Sequence, residues 1–273
     1  MATLSLDSAK VISEPAEYKR LEDVASEWDA LANLRDEQMR SGFDVSFSRV
    51  LAPKFEEILG GEDCSMVFDV GCGTGALAER IASRVELLVG VDVSKESIRI
   101  AQSQTATTPK LTFIHDSIQS FADRQAANTF SCAIANMVLM DVLNLCEVVR
   151  AVRRVLRPGG GFIFSITHPV YWSVYKGYRQ ASWFEYKNEI PIEAPFTISK
   201  DDQGKITTTH VHRPLSAYQC ALESNGFTIE NFYAPLPDHK TEAKYPRPWS
   251  VPRFLIFQCR ARSKAGGSLL VSG

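Results

Sequence analysis

Asp69 stands just ahead of a run in which Gly71, Gly73 and Gly75 alternate with Cys72 and Thr74. An apolar stretch, Val67-Phe68, precedes it, and Ala76-Leu77 opens a helical pattern behind it. The order reads as a strand that enters a tight glycine turn and leaves as a helix. Glycine lacks the Cβ that keeps a ligand off the main chain, so such a turn offers bare backbone to a nucleotide-like molecule. The run Gly71-x-Gly73-x-x-Ala76 also satisfies the dinucleotide pattern of dehydrogenases, which admits alanine at the third place. Asp69 separates the two readings. A carboxylate at the strand's end repels a pyrophosphate and suits a ligand carrying positive charge. S-Adenosylmethionine, a cationic amino-acid nucleoside, meets that requirement better than NAD does.

Further polar residues recur where strands should end. Val67–Val70 reads as the first strand and Ala76–Arg84 as the helix after it. Leu87–Val91 is a second strand, closed by Asp92, and Ser94 is placed to cap a helix running to about Ser103. Leu111–His115 is a third strand, closed by Asp116, and Phe130–Ala135 a fourth, closed by Asn136. Leu143–Leu156 reads as a helix that stops at Arg157-Pro158-Gly159-Gly160, and Phe162–Ile166 as a fifth strand. Regular alternation of this kind implies a parallel sheet with helices on both faces. Ligands of such sheets lie at the carboxyl ends of the strands, where Asp69, Asp92, Asp116 and Asn136 fall. After a helix at Leu215–Ser224, the strands Phe227–Phe232 and Arg253–Arg260 would pair as a closing antiparallel ribbon.

Two segments break the alternation. Leu21, Val24, Trp28, Leu31 and Leu34 recur at helical spacing, so residues 15–60 read as two or three helices covering the sheet. Trp28 reads as packing on the sheet edge, and Tyr18 as a residue that could line the site. Residues 167–213 form an insert rich in aromatics, among them Tyr171, Trp172 and Trp183, with a polar loop at Asp201–Lys205 and a hairpin return at Ile206–His212. Its aromatics either glue a small subdomain to the sheet or face the site, and some should face it. His168, just past the fifth strand, is the best-placed titratable group: a general base or orienting residue in one reading, a turn histidine in the other. His210 and His212 alternate in the hairpin, so at most one of them faces a site.

The chain has 273 residues, 45% of them hydrophobic and 23% charged, with a formal net charge of −2. That composition fits a globular protein with an ample core and provides no global positive field for nucleic acid. The six cysteines form no C-x-x-C pair and no zinc spacing, so no metal is expected. No apolar run approaches a membrane span, and the first residues lack a signal peptide's pattern; a cytoplasmic protein without membrane contact is expected. Residues 1–14 and 263–273 are expected to be disordered, leaving a single domain over 15–262. Homo-oligomerisation stays open.

The ordered set of Asp69–Gly75, Val91-Asp92-Val93-Ser94, His115-Asp116-Ser117-Ile118, Asn136–Met140 and Leu156-Arg157-Pro158-Gly159-Gly160 resembles the class I S-adenosylmethionine-dependent methyltransferases, small-molecule branch. The likeness covers about residues 65–165 by motif and 215–260 by architecture. It implies a Rossmann-like α/β fold: a seven-stranded, mostly parallel sheet with helices on both faces, an antiparallel last strand, an N-terminal helical cover and a lid insert after the fifth strand. It further implies that Gly71, Cys72, Gly73 and Gly75 pack against the cofactor, that Asp69 meets its amino group, and that Asp92 accepts both ribose hydroxyls. Val93 would cover the adenine, Asp116 with Ser117 and Ile118 would read its edge, and Asn136 and Met137 would lie beside the reactive end. The implied activity is methyl transfer to an O, N or C atom of a small-molecule acceptor, a metabolite or natural product of secondary metabolism. His168 would be the catalytic residue, and Tyr18, Tyr171, Trp172, Trp183 and His210 would bind the acceptor. An NAD-dependent oxidoreductase, a protein or RNA methyltransferase, and a non-catalytic S-adenosylmethionine binder are the alternatives.

Overall fold

The computed structural model describes residues 10–11, 19–198 and 206–263. The polar loop at Asp201–Lys205, Tyr18 and most of both termini lie outside these residues. In chain order the elements are β1 (Lys10–Val11), α1 (Leu21–Arg40), a π-helical turn at Phe47–Leu51, α2 (Ala52–Leu59), β2 (Met66–Val70), α3 (Ala76–Ile81), β3 (Leu87–Asp92), α4 (Lys95–Gln104) and β4 (Leu111–His115). Then follow α5 (Ile118–Arg124), β5 (Phe130–Asn136), α6 (Leu145–Val155), β6 (Leu156–Thr167), α7 (Trp172–Lys176), β7 (Ile190–Pro195), β8 (Thr207–His212), α8 (Leu215–Ser224), β9 (Phe227–Tyr233), α9 (His239–Glu242) and β10 (Phe254–Ala261).

Seven strands form one sheet in the order β4-β3-β2-β5-β6-β10-β9. The pairs β3–β4, β2–β3, β2–β5 and β5–β6 are parallel, while β10 runs antiparallel to both of its neighbours. This is the mostly parallel sheet with an antiparallel last strand that the motif order implies. Chain direction across the sheet reverses between β2 and β5, one leading to β3 and the other to β6. A crevice opens at such a switch point, beyond the carboxyl ends of the strands. Asp69 and Asn136 stand on its two sides, near the ends of β2 and β5.

The local reasons are conventional. Ser94 Oγ accepts the Ser97 N–H at 3.0 Å and Asn144 Oδ1 accepts the Glu147 N–H at 3.1 Å, so each occupies a backbone donor that a helix start leaves over. Pro53 sits in the first turn of α2, where a missing N–H costs nothing. In α6, Leu145, Val148, Val149, Val152 and Val155 are buried, a stripe of three-and-four spacing against the sheet. Phe68 stacks on Phe130 at 5.1 Å and lies 5.2 Å from Phe121. All three are essentially buried, and each such side chain contributes roughly 1.5–3 kcal/mol by leaving water.

The differences from the sequence reading are local. Lys10–Val11, in the stretch expected to be disordered, pair with Glu193 and Ile192 of β7. Helix α5 was not expected; Ser117 Oγ caps it by accepting the Ser120 N–H at 3.0 Å, in a segment too short for periodicity to stand out. The insert contains α7 and the antiparallel hairpin β7–β8, which with β1 makes a second, three-stranded sheet. Among the described residues no helix is long and apolar enough to cross a membrane.

Candidate functional site

The glycine turn closes over Asp92. The Gly73 N–H donates to Asp92 Oδ2 at 2.8 Å and the Ser94 N–H to Oδ1 at 2.8 Å, so the carboxylate at the end of β3 is held by backbone on both oxygens. Each oxygen keeps a further acceptor direction for a ligand hydroxyl. Gly73 has φ +53°, and a Cβ there would meet no heavy atom within 4 Å: the turn opens onto free space. Gly71 and Gly75 differ. A Cβ on Gly71 would run into the Val138 side chain at 2.6 Å. At Gly75 it would meet Phe113 and Ala101 at 3.1–3.2 Å, so Gly75 serves packing beneath the turn and does not line the cavity, contrary to its expected cofactor contact.

Asp69 lies against this turn, 2% exposed, and its Oδ2 is buried with no hydrogen-bond partner among the described residues. Burial, reinforced by the charge of Asp92, pushes its carboxyl up to about 8. Burial also raises Asp92, against the pull of the two N–H donors, and raises the Cys72 thiol, with both carboxylates adding to the effect. Cys72 is therefore a neutral side chain. An unpartnered buried carboxyl is costly unless something pairs with it. A cationic amino group fits at Asp69, and a pyrophosphate does not.

Asp69, Gly71, Cys72, Gly73, Asp92, Val93, Ile118, Asn136 and Met137 all line one cavity of about 910 Å³, at the upper end of small-molecule sites. Asp116 and Ser117 do not line it. Asp116 is ion-paired with Arg124 and accepts the Ser117 N–H at 2.9 Å, and Ser117 is spent as the α5 cap, so the neighbouring Ile118 faces the cavity in their stead. Met137 is a non-glycine residue at φ +59°, a conformation costing of order 1 kcal/mol. Its N–H donates to the Ser165 main-chain oxygen at 3.1 Å and to Ser165 Oγ at 3.0 Å, while Ser165 Oγ donates to Asn136 Oδ1 at 2.9 Å. That network holds the bend where β5 meets the cavity.

The insert supplies the rest of the wall. Trp172 and His210 line the cavity as expected. His168 does not, which overturns its expected catalytic role. Its N–H donates to the Arg253 main-chain oxygen at 2.8 Å, its Nδ1 accepts the Val170 N–H at 3.3 Å, and its ring packs on Tyr171 at 4.6 Å. His168 is the turn histidine, with its pKa lowered by burial. Tyr171 sits off the cavity with it, and Trp183 stacks at 5.5 Å on Tyr178 in an aromatic cluster. Tyr178 does line the cavity, so Trp183 stands behind the wall and neither of these expected acceptor residues is a lining residue. His212 is turned into that cluster too, its Nε2 3.0 Å from the Tyr186 main-chain oxygen.

Sequence reasoning missed several lining residues. Leu21, Val24, Trp28, Arg35 and Met39 form one stripe of α1 along the cavity, so Trp28 is a wall residue, 5.9 Å from the Phe196 ring, and not sheet-edge packing. The three-and-four spacing carried that stripe, but not which surface it faces. Asp141, from the loop after β5, places Oδ1 3.4 Å from His210 Nδ1, and burial raises the Asp141 carboxyl against the pull of the imidazole. Lys176 and Tyr175, at the end of α7, also line the cavity. Fully buried Arg213 fastens loop to insert: it donates to the main-chain oxygens of Leu139 at 3.1 Å and Val142 at 2.7 Å, and pairs with Glu189 at 2.7 Å.

Residues 67–160 match a family described as a methyltransferase domain. The chain is 29% identical over 154 residues to a ubiquinone biosynthesis O-methyltransferase of Vibrio parahaemolyticus, an alignment that covers 56% of this chain and 62% of that protein. It thus spans less than two thirds of that relative's length. A solved S-adenosylmethionine-dependent methyltransferase from Mesorhizobium loti shares the fold with TM-score 0.59 at 22% identity, over 79% of this chain and 97% of its own. The [4+2]-cyclase SpnF shares it with TM-score 0.61 at 16% identity, over 89% and 96%.

Proposed function

We infer that this chain, which carries a class I S-adenosylmethionine-dependent methyltransferase domain, is an enzyme that methylates a hydroxyl oxygen of a small, partly aromatic acceptor. The observation that carries the reading is the orphaned, buried Asp69 Oδ2 beside a glycine turn that opens onto the cavity. Asp69 takes the cofactor's amino group, Asp92 takes the ribose hydroxyls, and Val93, Ile118 and Met137 give apolar surface to the rest. Bound S-adenosylmethionine supplies an electrophilic methyl group on a sulfonium. The protein's own work is alignment, exclusion of water and management of one proton. Asp141 holds the Nδ1 side of His210, which leaves Nε2 as the basic nitrogen for the hydroxyl proton. The acceptor oxygen gains the methyl and loses its proton to His210. The name of the Vibrio relative favours an oxygen acceptor, and the walled cavity favours a small molecule over a protein or RNA.

Proton release tests the cofactor assignment. In the ligand-free protein Asp69 keeps its proton up to about 8, against an ordinary value of 3.8. The folded state thus holds a proton that the unfolded state lacks, and the free protein loses stability as pH rises from about 4 to 8. An ammonium beside Asp69 reverses the shift, so binding at pH 7 should expel close to one proton. Calorimetric titration in buffers of different ionisation enthalpy should show this for S-adenosylmethionine, and Asp69→Asn should lower the count by about one. An unchanged count removes Asp69 from the cofactor site.

Asp92→Ala should weaken S-adenosylmethionine at least about tenfold, since it deletes charge-assisted hydrogen bonds to two hydroxyls. Equal affinity in the variant rules out the ribose assignment. Transfer of label from methyl-labelled cofactor to a hydroxylated aromatic separates an enzyme from a non-catalytic binder.

A further inference from the structure

Two cationic side chains, Arg35 and Lys176, line the cavity among the described residues. Arg35 is engaged: it pairs with Asp44 at 3.1 Å, donates to Gln38 Oε1 at 2.8 Å and lies 5.1 Å from the Phe196 ring centre. Lys176 is in a different position. Its Nζ donates to the neutral Thr197 Oγ1 at 2.6 Å and stands 5.2 Å from the Trp172 ring centre, and no carboxylate of the described residues pairs with it. Of the acids that share the cavity, Asp44 pairs with Arg35 and Asp141 with His210, Asp69 and Asp92 stand at the glycine turn, and Glu147 is an exposed residue of the first turn of α6 that forms no ion pair with Lys176.

An ammonium drawn out of water without a counter-charge is unfavourable, and the protein does not relieve it. Burial, joined by the nearby positive charge of Arg253, lowers Lys176 to about 8. A purely structural link to Thr197 needs one N–H, whereas the ammonium has three. Among the described residues, two of its donors and its charge are left without a partner on a side chain that lines the cavity beside Trp172. The same indole lies 6.5 Å from the His210 ring, so one aromatic plate touches both the basic imidazole and the ammonium.

We propose that Lys176 is the specificity-determining residue of the acceptor site and that the acceptor is a planar hydroxylated acid, its carboxylate paired with Lys176 and its hydroxyl presented to His210. The inference rests on the methyltransferase reading above and names the acceptor class within it. The ring lies along Trp172. The Lys176 ammonium, joined to Thr197, anchors the far end of the molecule, while the near end meets the cofactor. An acid satisfies the lone charge on binding; its ester leaves that charge unpaired and adds bulk.

The test uses the full chain saturated with S-adenosylhomocysteine, titrated with 4-hydroxybenzoate, 3,4-dihydroxybenzoate and the methyl ester of each. The acid of at least one pair should bind about tenfold or more tightly than its ester, the scale of one charge-assisted contact. Lys176→Met should abolish that preference and Lys176→Arg should keep part of it. S-Adenosylhomocysteine affinity, measured in every variant, reports that the fold and the cofactor end are intact. Esters binding as well as acids, a preference that survives in Lys176→Met, or no binding by any of the four probes to the loaded protein each overturns the assignment of Lys176. Failure of the wild-type chain to take S-adenosylhomocysteine at all overturns instead the methyltransferase reading on which it stands.

Discussion

Gly73→Val should give a folded protein that no longer binds S-adenosylmethionine measurably. With φ at +53° a β-branched residue is strained there, at roughly 1–3 kcal/mol, a cost that a core of this size absorbs. The added side chain meets no protein atom near its Cβ, so it stands in the cavity, in the place proposed for the cofactor's ribose and methionine. Binding, and not folding, should therefore fail. Gly75→Val offers the opposite pattern: its Cβ is pressed against Phe113 and Ala101, and thermal stability should fall first. Calorimetry and thermal unfolding on the two variants distinguish these outcomes, and normal binding by Gly73→Val makes the turn a structural feature only.

His210→Ala should slow methyl transfer about 10²–10⁴-fold while cofactor affinity holds, the range expected when a positioned base is removed. Asp141→Asn keeps the volume but loses the charge that steadies a protonated imidazole, so it should lose activity in the same direction. Single-turnover transfer from labelled cofactor reads the chemical step directly. A fully active His210→Ala variant means that transfer needs no base at this position, as for a neutral amine that attacks through its lone pair, and ends the assignment of His210 as the base for a hydroxyl. His168→Ala serves as the contrast, since that ring touches Tyr171 and the adjacent backbone and not the cavity.

The end of the cavity proposed for the cofactor was legible because the residues that form it are local. Asp69, Gly73 and Asp92 each lie within a few residues of a strand end, and alternating strands and helices bring those ends together without further information. Where the reading failed at Asp116 and Ser117, a competing local use had claimed the side chain: a cap for α5 and an ion pair with Arg124. The end of the cavity proposed for the acceptor was not legible, because it is assembled from distant pieces. Asp141 and His210 are far apart in sequence and meet only because β8 is fastened to the loop after β5, the Val211 N–H donating to the Met140 oxygen at 2.7 Å. His168 drew attention by standing at a strand end, yet its backbone turns it toward Tyr171. Lys176 sat unnoticed inside the aromatic run, since nothing in a sequence says that a lysine there pairs with no acid of the described residues.

Helix α1 reaches both ends through two of its carboxylates. Asp29 accepts from Ser94 Oγ at 2.7 Å and from the Glu96 N–H at 2.9 Å, right beside Asp92. Glu27 accepts from the Thr209 N–H at 2.9 Å and from Thr209 Oγ1 at 3.1 Å, next to His210. A single rigid rod pinned at two places cannot swing from one without tugging at the other. Any outward movement of α1 would therefore break hydrogen bonds beside Asp92 and beside His210 in the same motion.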